Sequence, residues 1–391
     1  EGRKGPAWID IPLDYQAYLL PEWNNLESFK PPKVKNDLSK YKQIDHLYEM
    51  LKNAERPIAL IGHGARLSGA NEEILKLIEK LNIPSVFTWN SCDLMYSEHK
   101  LYIGKPGNVA ARASNLALQS ATHLISIGAR LDNITTGYNR KKFARSSIQK
   151  WVIDIDENQL NDCILDNAIK IKIDAKEFCL YLNKKDSINE KTEWIEHCNW
   201  LKKNYSTCDG NIPTHHKQLT HFEVSQLISD HLPENSTIVV GSSGLAIESF
   251  WVTLEPKKNQ RFMLTSGLGA MGYGLPALIG ANEGSPTNSM NYLIESDGSF
   301  MLNLQELQTF KTRNKKAKII ILNNQGYCSI RTTQDNYFEG NHVASDSQSG
   351  LDIPSFEKIA NTFNIEYRYI SKENKNMLKE YMLDNESYLI E

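Results

Sequence analysis

Apolar residues recur along this chain in two alternating periods. From Arg56 onward, a short apolar run at Ile58 to Gly62 reaches a turn at Gly62 and Gly64, and Ile74, Leu75, Leu77, Ile78 and Leu81 then follow at helical spacing. Further apolar runs at Pro84 to Thr88, His123 to Gly128, Trp151 to Ile155 and Ile169 to Asp174 are separated, for the most part, by helical segments. A second series begins at His221, with a helix to His231 and a strand at Thr237 to Gly241. It continues through a glycine-rich stretch at Ser266 to Gly280, a strand at Tyr292 to Glu295, a helix at Leu304 to Phe310 and a strand at Lys318 to Leu322. Strands alternating with helices predict an α/β fold of two doubly wound, Rossmann-like parallel sheets, each with its own core.

The segments between these series are polar. Pro21 to Lys40 carries Pro21, Pro31 and Pro32, which remove ladder donors and discourage helix, so residues 21–43 are expected to be a linker. Lys184 to Lys217 has no clean period and is expected to be a second connector. The domains expected are then 44–183 and 218–391. At the ends, Ala7 to Leu13 (AWIDIPL) reads as a strand running into a loop, and Ser387 to Glu391 (SYLIE) as a terminal strand. A strand at a terminus needs neighbours, so the chain is expected to be cut at both ends, with residues 1–20 closing an earlier domain and the last domain incomplete.

The 391 residues suit two domains of about 100 to 200 residues each. With 40% hydrophobic and 23% charged residues, disorder is excluded. A net charge of -3 and the lack of any long Lys or Arg run argue against a nucleic-acid partner. The six cysteines form no CxxC pair, which disfavours a disulfide framework or a zinc site and suits a reducing compartment. No apolar run approaches the ~20 residues of a membrane span, and Glu1 to Gly5 is no signal peptide, so a cytoplasmic protein without a membrane partner is expected.

The segment richest in chemistry is Glu295 to Gln334. An acidic turn, Ser296-Asp297-Gly298-Ser299, follows one strand and opens a helix, and the next strand delivers Asn323-Asn324-Gln325-Gly326. In a parallel sheet both strand ends lie on the same carboxyl edge, so Asp297 and Asn324, 27 positions apart, can converge on one cation. Magnesium suits such a set, since it takes hard oxygens and commonly one or two protein carboxylates beside phosphate oxygens. Gly298 and Ser299 would then offer backbone N–H groups to a diphosphate. Taken alone, Asp297-Gly298 is an Asp-capped turn; the strand, helix, strand spacing is what gives the pair meaning.

This arrangement resembles the thiamine diphosphate motif, an acidic turn followed at this distance by paired asparagines. The likeness extends over essentially the whole chain and is strongest to the acetolactate synthase large subunit. It is carried by Gly2 to Gln16 (GRKGPAWIDIPLDYQ), similar to the end of a pyrimidine-binding domain, by Leu264 to Ala277 (LTSGLGAMGYGLPA), and by the motif itself. The resemblance implies a central domain and a diphosphate-binding domain, with thiamine diphosphate and Mg2+ as cofactors. It implies Asp297, Asn324 and the Gly326 carbonyl as metal ligands. It places Leu245, Ala246, Gly298, Ser299 and Tyr327 around the cofactor, Gly269 offering its carbonyl to the cofactor's amino group, and Met271 as the apolar wedge that bends it; Gly269 and Met271 are thus the catalytic pair within this chain. The reaction implied is decarboxylation of a 2-keto acid, such as pyruvate, and transfer of the two-carbon unit to a second carbonyl. In this family a glutamate of the pyrimidine-binding domain assists, and that domain would precede Glu1, so the fragment is expected to be inactive alone and the intact protein a homodimer or homotetramer with the site between subunits.

Departures accompany the likeness. Ser296 stands for the first glycine of the metal turn. Ile247 and Glu248 stand where acetolactate synthases carry polar Gln and His, and Thr333 where they carry a Trp of the second-substrate pocket. The central domain resembles their FAD-binding domain through Gly128-Ala129-Arg130, Asp154 and Asp174, but Ile134 occupies the position of an expected arginine, which leaves FAD open. Gly62-x-Gly64 lacks the third glycine of a dinucleotide fingerprint, and His63, His123 and Arg66 read as ordinary turn or surface residues. Leu60 to Gly69 and Ser329 to Gln334 are also similar to a thiamine-dependent branch of surface polysaccharide biosynthesis, whose acceptor would be a keto sugar nucleotide. The reading from another class is a non-catalytic nucleotide-binding module, which would bind without magnesium and be indifferent to Asp297.

Overall fold

The computed structural model describes residues 2–30, 38–207, 216–241, 244–286 and 289–391; Pro31, Pro32, Cys208 and Ser243, each part of the sequence reading, lie outside them. Two six-stranded parallel sheets form the frame. The first comprises β1 (Pro57–Ile61), β2 (Ser85–Phe87), β3 (Tyr102–Gly104), β4 (His123–Ile127), β5 (Gln149–Asp154) and β6 (Ala168–Lys172), in the order β3-β2-β1-β4-β5-β6. The second comprises β7 (Thr237–Val240), β8 (Arg261–Met263), β9 (Asn291–Ser296), β10 (Ala317–Leu322), β11 (Glu366–Arg368) and β12 (Tyr388–Ile390), in the order β11-β12-β10-β9-β7-β8.

Strands of unbroken apolar sequence are what a sheet covered on both faces requires. In β1, Ile58 and Leu60 enter one buried cluster while Ala59 and Ile61 enter another on the opposite face. In β10, Ile319 and Ile321 face one cluster and Ile320 and Leu322 the other, as the two-residue period of a strand dictates. The outer faces have separate cores. The inner faces do not: one buried cluster runs from Ile61 and Phe87 under the first sheet to Phe250 and Trp251 on the second. Trp89 and Trp251 stack across this junction with ring centroids 5.4 Å apart. The expectation of two independent cores is corrected in that respect, because each sheet hides its inner face against the other unit.

Three further expectations are corrected. Ala7 to Leu13 forms no strand: residues 7–12 have no regular structure, Leu13–Gln16 is a single helical turn, and Ile9 and Leu13 are 80% and 79% exposed. Pro6 and Pro12 bracket the segment, and among the described residues no neighbouring strand offers it a ladder. The connector at 184–217 contains a 13-residue helix, Thr192–Asn204, whose Trp194, Ile195, Cys198 and Leu201 are buried. Its apolar stripe is regular; Trp200, 52% exposed and stacked on His197 on the outer side, masks the period. The linker before the central domain is helical at its end, since the Ser39–Asn53 helix starts inside it, while burial begins at Ile44, where the domain is expected to start.

The terminal strand β12 finds its neighbours inside the chain, lying between β10 and β11. No helix among the described residues is long and apolar enough to cross a membrane.

Candidate functional site

In the second sheet β7 and β9 are adjacent, with β8 beyond the first and β10 beyond the second, so the chain order reverses between them. Ligands of open α/β sheets bind at the carboxyl ends of strands at such a point. The register pairs Glu295 with Ile321 and Ser296 with Leu322, which brings the Asp297 turn and the Asn323–Gly326 loop out side by side.

Asp297 is fully buried. Its Oδ1 accepts the Gly298 N–H at 2.8 Å and its Oδ2 accepts the Gly326 N–H at 2.7 Å, so the loop after β10 closes onto the turn after β9. Burial pushes this carboxyl up, and the Gly326 and Gly298 N–H groups oppose the shift. The Asn324 Oδ1 is buried and has no hydrogen-bond partner among the described residues. A buried amide oxygen left unpaired costs on the order of 1–3 kcal/mol, which a ligand at that point would recover. Asn323 turns away, its Nδ2 donating to Glu391 at 2.6 Å and its Oδ1 accepting the Gln325 N–H at 2.8 Å. Among the described residues no three His, Cys, Asp or Glu side chains gather, so a cation here takes one carboxylate and neutral oxygens, a set suited to a hard divalent ion.

The expected backbone donors are partly engaged. The Gly298 N–H serves Asp297, and the Leu245 N–H, at the start of the Leu245–Thr253 helix, donates to Ser329 Oγ at 3.0 Å. In this structure both N–H groups are already engaged by side-chain oxygens. A short turn satisfies its donors locally when a side-chain oxygen is in reach. Ala246 and Ile247 are buried, whereas Glu248 is exposed. Tyr327 packs on the turn: a Cβ at Gly298 would lie 2.4 Å from its ring. Ser299 Oγ accepts the Gly272 N–H at 2.9 Å and Asn303 Nδ2 donates to the Gly272 carbonyl at 2.8 Å, which pins the Leu264–Gly272 loop to the Asp297 turn. Gly269 (φ 59) and the half-buried Met271 ride on this loop, and Leu268 beside them is 90% exposed.

Glu295, the residue before Ser296, escaped the sequence reading as more than a strand end. Its carboxyl is fully buried between two glycines: a Cβ at Gly241 would lie 2.0 Å from Oε1, and one at Gly274 2.2 Å from Oε2. Oε1 accepts the Ser296 N–H at 3.0 Å, Oε2 has no partner among the described residues, and burial pushes the group up to about 7. The signal in the sequence is an acidic residue closing an apolar strand, with Gly241 directly after the neighbouring strand β7.

The first sheet has its own reversal, between β1 and β4, and a cavity of about 400 Å³ opens there. His63, Trp89, Asn90, Arg130 and Asp154 line it from the central unit, Arg3 and Lys4 from the arm, and Ser266 and Gly267 from the second unit. Gly62 and Gly64 serve packing, since a Cβ on either would strike the Gly128–Ala129 backbone at 2.1 and 2.8 Å. Asp174 caps the Ala175–Leu182 helix, and Asp154 accepts the Asp156 N–H at 2.9 Å. Arg66 is no surface residue, since it pairs with the buried Asp93 at 2.5 Å, and His123 is buried beside Trp151.

Comparison with known proteins follows the same division. Residues 44–182 match the thiamine pyrophosphate enzyme central domain, and residues 240–391 the thiamine pyrophosphate enzyme C-terminal TPP binding domain. A probable acetolactate synthase large subunit of Methanococcus aeolicus is 32% identical over all of this chain and 67% of its own length. The acetolactate synthase isozyme 2 large subunit of Escherichia coli is 26% identical over 96% of this chain and 65% of its own. The chain thus spans about two thirds of the length of these relatives. A thiamine diphosphate-dependent 4-hydroxybenzoylformate decarboxylase from Rhodococcus jostii shares the fold with a TM-score of 0.68 at 17% identity, covering 94% of this chain and 65% of that one. Two domain matches in the family's order, with a relative 32% identical throughout, establish that this chain belongs to the thiamine pyrophosphate enzyme family, beside the acetolactate synthase large subunits.

Proposed function

We propose that this chain carries the diphosphate- and metal-binding part of an acetolactate synthase-like enzyme, which decarboxylates a 2-keto acid and joins the two-carbon unit to a second carbonyl. The observation that carries the reading is the Asp297 carboxylate, clasped by the Gly298 and Gly326 N–H groups, with the buried, unpartnered Asn324 Oδ1 on the same loop as Gly326. Asp297, Asn324 and the Gly326 carbonyl would hold Mg2+, which in turn would hold the diphosphate of the cofactor. Thiamine diphosphate, when bound, supplies the carbon nucleophile for attack on the keto acid. The chain's own part is to position: Tyr327 walls the turn, Ser299 and Asn303 fix the loop bearing Gly269 and Met271, and Ala246 backs the diphosphate. Gly298 and Leu245 would join the diphosphate only by exchanging their present acceptors for it.

FAD is the open second cofactor. The central cavity lies where a nucleotide would sit, and Arg3, Lys4 and Arg130 supply cations on its wall while Ile134 supplies none. Flavin absorbance of the purified protein decides its presence. A homo-oligomer with small-molecule substrates accords with the exposed Leu268 and the cofactor loop at the surface.

Calorimetric titration of thiamine diphosphate, with and without magnesium, tests the main reading. Binding that requires magnesium and is lost in Asp297→Ala supports it; binding that ignores both overturns it in favour of a nucleotide-binding module.

A further inference from the structure

The loop that closes on Asp297 does not hold its shape unaided. Gln325 has φ 60 and Gly326 φ 116, and the left-handed region is strained for a residue with a Cβ. The carbonyls of three residues that come close together there, Asn324, Gln325 and Ser345, also need donors. One side chain meets all of them. Arg331, on the Cys328–Tyr337 helix, donates from one terminal nitrogen to the Gln325 carbonyl at 3.1 Å and the Ser345 carbonyl at 2.7 Å, and from the other to the Asn324 carbonyl at 2.7 Å. The Tyr327 N–H adds a fourth tie, to the Ser345 carbonyl at 2.9 Å. The next-but-one residue back in the helix, Ser329, accepts the Leu245 N–H, so the same helix secures both sides of the candidate site.

We propose that Arg331 is a positioning residue for the metal centre: its guanidinium fixes the Asn324–Gly326 loop, which carries the Asn324 amide oxygen and closes onto the Asp297 carboxylate. The inference rests on the reading of Asp297 and Asn324 as metal ligands. A planar fork with five donors can bridge three carbonyls, and a lysine ammonium on a flexible stem cannot reproduce it. Arg331 acts through the loop, since its own charge would repel a divalent cation.

The test titrates Mn2+ into the full chain with inorganic diphosphate, following free Mn2+ by electron paramagnetic resonance, for the wild type, Asp297→Ala, Arg331→Ala and Arg331→Lys. Thermal melts establish that each variant is folded at the temperature used, and Arg331→Lys decides if Arg331→Ala is not. The expected result is a loss of roughly 10- to 100-fold in Mn2+ affinity for Arg331→Ala, the range for residues that orient metal ligands, with a smaller loss for Arg331→Lys and an altered spectrum of the bound ion in both. A general loss of stability would leave the spectrum of the bound ion unchanged. Wild-type binding that Asp297→Ala abolishes and the folded Arg331 variants retain, or tighten, overturns the positioning role alone. Absence of Mn2+ binding in the wild type overturns the metal site and this role with it.

Discussion

A carboxyl group enclosed by Gly241 and Gly274 must ionise in a fully buried site, and burial pushes Glu295 up to about 7. Its ordinary value in the unfolded chain is 4.5, so the folded state binds more protons between these values. By linkage, stability then falls as pH rises from about 4.5 to about 7 and stays reduced above, by roughly 3 kcal/mol from this one group. Glu295→Gln keeps the shape and removes the titration. We expect urea midpoints of the variant to lose that decline and to exceed the wild type above about pH 7; an unchanged slope across the window would place the proton uptake elsewhere. The same scale explains the glycines. Gly274 is where it is because Glu295 and Leu293 occupy the space of a Cβ, and Gly62 because the Gly128–Ala129 backbone does.

At the scale of elements, the Thr192–Asn204 helix shows how a segment that reads as a connector becomes part of the core. Trp194 is buried and its indole N–H donates to the Pro57 carbonyl at 2.8 Å, which ties the helix to the start of β1. Trp194→Ala removes a large side chain from a packed site and leaves that carbonyl unpaired. A loss of roughly 3–5 kcal/mol is expected, read as a lower denaturant midpoint for the central unit. A change below about 1 kcal/mol would return the segment to the status of a linker. The short strands β3, β8 and β11 each spend at least one of three positions on a glycine or a charged residue, so no apolar run marks them, and they become strands only because a neighbour supplies the ladder.

Across the whole molecule, the two units are joined by charge as well as by stacked tryptophans. Asp93, with a side chain 1% exposed, pairs with Arg66 of its own unit at 2.5 Å and with Arg261 on β8 at 3.2 Å, and accepts the Phe262 N–H at 2.9 Å. Asn90 reaches Ser266 Oγ at 3.2 Å nearby, so the Trp89–Leu94 turn of the central unit braces the strand that leads into the Leu264–Gly272 loop. Asp93→Ala leaves two arginines without their partner at a junction, a loss expected at roughly 3–5 kcal/mol. We expect it to separate unfolding into two transitions, seen by comparing tryptophan fluorescence with circular dichroism. A single unshifted transition would mean that stacking and apolar contact hold the units unaided.

Much of this protein follows from sequence alone. The β–α alternation, the two parallel sheets and the meeting of Asp297 with the Asn324–Gly326 loop are dictated by local periodicity and by the fact that parallel strands end on one edge. What tertiary structure decided is which donors remain free and which faces are shared. Gly298 and Leu245 give their N–H groups to Asp297 and Ser329, Arg331 gathers carbonyls from two loops, and Glu295 is sealed by glycines far from it in sequence. Such outcomes depend on contacts between residues tens of positions apart, where no period in the chain records the partner, and the fused inner core exists only once each sheet meets the other.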